Sequence, residues 1–120
     1  MTIEKYLQDK VDINEISKDS KDFILNELKK AYVSKIGKWM LCYFLLQFCR
    51  HGVDTEIKEM DLLREMLKLK LADFYIATFS IELEDLAKKG FVVNINGKYS
   101  IAYDYLKKLE KETTNNNEGK

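Results

Sequence analysis

The sequence predicts a mainly helical α+β domain carrying one small β-hairpin. Three observations predict it. The 120 residues contain no proline, where ordinary usage gives about six, so few positions force the chain out of a helix. Over residues 21–89 apolar side chains recur at spacings of three and four, the helical period. Over residues 91–101 the period drops to two, around Asn96 and Gly97, the pair most favoured in a two-residue type I′ turn.

Composition bounds the rest. Apolar residues make up 46% and charged residues 33% of the chain, a globular balance far from that of disordered chains. At 14.1 kDa there is room for one core and not two. Twenty basic residues meet twenty acidic ones, so there is no whole-chain basic excess of the kind that marks many nucleic-acid binders. One histidine, two cysteines and no glycine-rich loop leave enzyme chemistry poorly supplied. No catalytic residue and no cofactor are expected. Cys49 and His51 form a single Cys-x-His with no second pair, so no metal site is expected either.

The first residues, Met1-Thr2-Ile3-Glu4-Lys5, do not lead into an apolar signal core. The longest apolar run, residues 39–48 broken by Gln47, is about half the ~20 residues that span a bilayer. The expected location is the cytoplasm, with no membrane contact. Cys42 and Cys49 lie on one predicted helix with Cα atoms roughly 10 Å apart, too far for a mutual disulfide.

Taken in order, residues 1–20 read as a slightly acidic N-terminal arm with a turn or two of helix, able to dock through Tyr6, Leu7, Val11, Ile13 and Ile16. Ser17 and Ser20 are both candidate N-caps of the next helix. From Lys21 the residues Phe23, Ile24, Leu28, Ala31, Tyr32 and Ile36 form an amphipathic stripe, with a kink or break expected at Gly37. The stretch from Lys38 to Arg50 is apolar nearly all round. A helix with no polar face must be covered on every side, by its own domain or by a second subunit. Trp39, Tyr43, Phe44 and Phe48 are therefore assigned to core or interface.

His51 and Gly52 end that helix. Asp54 or Thr55 is the expected cap of the next, whose apolar members are Ile57, Met60, Leu63 and Leu67. After a turn holding Leu69 and Leu71, Asp73 is the expected cap of a third helix. Ile76, Phe79, Leu83, Leu86 and Ala87 form its inward stripe, and Gly90 closes it. The hairpin comes next. Residues 103–112 are helical again, and 113–120 (TTNNNEGK) form a polar tail expected to be disordered.

The segment Ser80-Ile81-Glu82-Leu83-Glu84-Asp85-Leu86-Ala87-Lys88-Lys89-Gly90-Phe91-Val92 resembles the end of the third helix and the first wing strand of small bacterial and archaeal winged helix-turn-helix regulators. The likeness covers about residues 38–102. It implies a winged-helix domain over 21–112 with flanking N- and C-terminal helices, Leu83 and Leu86 pinning the third helix, and Phe91 and Val93 returning the chain to the core. It further implies a homodimeric DNA-binding transcription regulator, whose third helix enters the major groove while the wing touches the backbone. The residues that fit such a face are Lys68, Lys70, Tyr75, Thr78 and Lys98.

The charge distribution argues against the simplest version of that function. Residues 53–90 carry a net charge of −3 and residues 21–52 a net of +4. The basic patch is Lys29, Lys30, Lys35, Lys38 and Arg50, outside the reading helix, while Glu82, Glu84 and Asp85 are expected to face the phosphates. The alternative expectation is a winged-helix protein–protein interaction module, an adaptor or accessory subunit that meets a protein partner and does not itself read double-stranded DNA.

Overall fold

A computed structural model describes the backbone of residues 1–118 and the side chains of residues 1–111. The chain is a mainly-α α+β fold, with six α-helices and a three-stranded antiparallel sheet among the described residues. In chain order these are α1 (Ile3–Asp12), α2 (Lys18–Lys30), α3 (Lys35–His51), β1 (Ile57–Lys58), α4 (Glu59–Lys68), α5 (Ile76–Lys88), β2 (Val92–Ile95), β3 (Lys98–Ile101) and α6 (Tyr103–Glu118). A single 3₁₀ turn, Gly52–Asp54, comes after α3.

The apolar helix α3 is the centre of the molecule. Met40, Leu41, Cys42, Phe44 and Leu45 are wholly buried, and α2, α4 and α5 pack around it. Its own domain supplies the cover that its sequence demands. Trp39 and Phe44 are buried, and Tyr43 and Phe48 are partly buried against the same core. Cys42 and Cys49 are both free thiols. No helix among the described residues is long and apolar enough to cross a membrane.

Several boundaries differ from the sequence expectation, each for a local reason. The break falls at 31–34, not at Gly37. Ser34 caps α3 by accepting a hydrogen bond from the Gly37 amide at 2.9 Å, so Gly37 lies in the first turn. A Cβ there would stand 3.1 Å from Ser34 Oγ and 3.2 Å from Val33 Cβ. Glycine thus permits the close cap rather than breaking the helix.

The N-terminal segment holds a ten-residue helix, more than a turn or two. Tyr6 and Leu7 on it are buried. Tyr6 meets Trp39 edge-on at 5.6 Å and donates to Glu65 at 3.1 Å. Ser17, of the two candidates, is the cap of α2.

Ile57 belongs to a strand and not to α4. Thr55 does not cap α4; its hydroxyl donates back to the carbonyls of Gly52 at 2.7 Å and Gln47 at 3.3 Å. This satisfies acceptors left open at the end of α3. The cap of α5 is Tyr75, not Asp73. Ile76 is exposed and not inward. In the hairpin Val92 is buried and Val93 exposed, one residue out of step with the expected return.

The turn itself is the expected one. Asn96 and Gly97 both adopt positive φ, 54° and 82°, and β2 pairs with β3 in the register Ile95↔Lys98 and Val92↔Ile101. β1 adds to the far side of β3, giving the order β1-β3-β2. Helix α6 runs to Glu118, through most of the segment expected as a polar tail. The last two residues of that segment, 119 and 120, lie outside those described.

Candidate nucleic-acid interface

Helix α5 packs one side only. Phe79, Leu83 and Leu86 press into the core. Opposite them, at helical spacing, Ala77, Ile81, Glu84 and Lys88 form an outer ridge that is exposed throughout. Tyr75, Ile76, Thr78 and Ser80 are exposed at its N-terminal half. Thr78 donates to the Tyr75 carbonyl at 3.0 Å, and the first turn has no side-chain cap.

The three carboxylates do not act together. Glu82 turns toward the start of α3 and accepts a hydrogen bond from Ser34 Oγ. Asp85 pairs with Lys89 at 2.9 Å. Only Glu84 remains on the outer ridge, one turn before Lys88. The acidic face that the sequence places against a phosphate backbone is therefore mostly a flank, already engaged within the chain.

Lysines stand on the elements before and after α5. In the turn after α4, Leu69 and Leu71 are half-buried, so the alternating Lys68 and Lys70 stand out in water. In the sheet, the cross-strand pairs Lys58↔Lys98 and Lys98↔Ile95 put Lys58, Lys98 and Ile95 on one face, because directly opposed residues share a face. Lys98 sits 3.7 Å from Glu56, an exposed pairing that contributes little. Burial, with the nearby Glu59 carboxylate adding to it, raises the Tyr99 phenol above its ordinary range.

The five-residue basic patch is divided. Lys35 and Arg50 stand at opposite ends of α3, roughly 22 Å apart at 1.5 Å per residue. Arg50 lies 3.8 Å from Glu15, a carboxylate that Lys10 also approaches at 3.6 Å. Lys29, Lys30, Lys35 and Lys38 instead bracket the loop 31–34 beside α5. Lys35 pairs with Asp73 at 3.1 Å and shares a cleft of about 260 Å³ with Lys70. Lys30 borders a second cleft of about 410 Å³ with Lys89 and Lys108. Behind it Glu27, 5% exposed, accepts from Tyr105 Oη at 3.1 Å and Lys30 Nζ at 3.0 Å.

The structure thus brings Lys68, Lys70, Tyr75 and Thr78 to the turn and first half of α5, puts Lys98 on the sheet, and separates Arg50 from all of them. Sequence reading missed Lys58, hidden by taking a two-residue strand for helix, and the exposure of Tyr32. Ser34, three residues before Gly37, is the cap signal that locates the break and could have found it. The chain matches no protein-family model, no curated protein and no solved structure.

Proposed function

We propose that this is a winged-helix protein that binds double-stranded DNA as a transcription regulator, with α5 in the major groove and β2–β3 as the wing. One observation carries the reading. In the sheet order β1-β3-β2 a short strand before α4 pairs with the hairpin after α5, so the wing stands beside a helix whose outer ridge is uncovered. Supporting it, Glu82 and Asp85 are engaged off that ridge, while Lys68 and Lys70 stand exposed in the turn before α5 and Lys58 and Lys98 on one face of the sheet, assigned to backbone contacts rather than base contacts. Tyr75 offers its hydroxyl to the groove, and Ile81 offers an apolar surface suited to a thymine methyl.

The test is a fluorescence-anisotropy titration of a random-sequence duplex across a salt series. With four lysines on phosphates, log affinity is expected to fall against log salt with a slope of roughly −3.6, about −0.9 per contact. The Lys68→Ala/Lys70→Ala variant should lower its magnitude by about 2. Absence of binding to any duplex at low salt would end this reading. The second reading, a protein-interaction module, is favoured by exposed Ile76, Ile81, Val93 and Ile95. One stoichiometric protein partner retained by the chain, and released by Ile81→Asp, would establish it.

A further inference from the structure

We infer that the loop between α2 and α3 holds an unpaired nucleotide beside the duplex on α5, with Tyr32 stacking on the base; this rests on the DNA-binding reading above. Tyr32 is 93% exposed, the most exposed large apolar side chain described. Its position follows from the backbone. The chain leaves α2 extended at Ala31 (φ −73°, ψ 127°), Ala31 is buried and Val33 half-buried, so the residue between them is turned out to water.

The surroundings of that ring define its ligand. Residues 29–38 contain four lysines and no carboxylate; Lys30 pairs with Glu27 and Lys35 with Asp73, and Lys29 is exposed. The loop is fastened beside α5 at two places: Ser34, its last residue, to Glu82, and Lys35 to Asp73 in the turn before the helix. An exposed aromatic ring on a lysine-rich loop, the loop itself fastened beside a candidate reading helix, is complementary to a polyanion that offers flat π faces. In an intact duplex those faces are stacked on one another and closed to the ring. An unpaired base is open to it, and stacking on an aromatic side chain among backbone-tracking cations is how single strands are held. Lys29, exposed three residues before Tyr32, is the lysine available to an adjoining phosphate.

The experiment compares two probes on the full chain by anisotropy: a blunt duplex, and the same duplex with a four-nucleotide single-stranded overhang. The wild-type protein is expected to prefer the overhang by about tenfold, as one base–aromatic stack supplies. Tyr32→Ala should abolish that preference, leaving blunt-duplex affinity and melting temperature unchanged, and Tyr32→Phe should retain it. Lys29→Ala should lower the salt slope for the overhang by about 0.7, for one single-strand contact. Equal wild-type affinity for the two probes, or a preference that survives Tyr32→Ala, would overturn this inference while leaving duplex binding intact. Failure to bind either probe would overturn the DNA reading itself.

Discussion

Helices α3 and α5 are both largely apolar, yet they stand in opposite relations to water. α3 is enclosed: Phe44 has no exposed surface and Cys42 none. α5 buries Phe79, Leu83 and Leu86 and leaves Ile76 and Ile81 bare. The difference lies in neighbours, not in composition. α3 has α2, α4 and α5 packed on it, while α5 stands at the outside of the same core. An apolar residue on α3 therefore reports on folding, and one on the outer ridge of α5 reports on whatever the protein meets.

Substitution separates the two roles. Phe44→Ala should have the largest effect, a loss of about 3–5 kcal/mol from lost burial and the cavity left behind, read from denaturant midpoints. A loss below about 1 kcal/mol would mean that α3 is not the rigid centre. The Cys42 thiol sharpens the same contrast through pH. Burial, then the neighbouring Cys49, raises its pKa from 9.0 to about 12. In the unfolded chain the thiol ionises first, so the unfolded state holds fewer protons between those values. Stability must then fall as pH rises from 9 toward 12, by up to about 1.4 kcal/mol per pH unit. Tyr6, also raised by burial, adds to the decline above its ordinary value of 10.0. Cys42→Ala should flatten the slope between about pH 9 and 10; an unchanged slope would show that water reaches the thiol. The smallest effect belongs to α5. Ile81, 65% exposed, should tolerate Ser with a change within about 0.5 kcal/mol, and a loss above about 1 kcal/mol would show that something in the chain covers the ridge.

Sequence reasoning was strongest where one residue type admits one conformation. Asn96 and Gly97 located the hairpin, and the switch to period two around them identified its strands. It was weakest where tertiary partners decide. Tyr32 fits the helical stripe of α2 by spacing, but the cap at Ser34 ends that helix early and turns the ring outward. Ile57 fits the stripe of α4, but β3 offers a strand edge and takes it. The candidate site was half legible. Lys68, Lys70, Tyr75 and Thr78 were named from position alone. The directions of Glu82 and Asp85 were not, because sequence marks a carboxylate without showing that Ser34 or Lys89 waits beside it.

The hydrogen bond from Tyr105 to Glu27 spans 78 residues of chain. During synthesis the carboxylate of Glu27 emerges long before the tyrosine that will cover it. Until α6 is in place the carboxylate lacks the Tyr105 hydroxyl, and Lys30 Nζ at 3.0 Å holds it from within α2. Helix α6 therefore covers a carboxylate supplied by a helix 78 residues earlier in the chain.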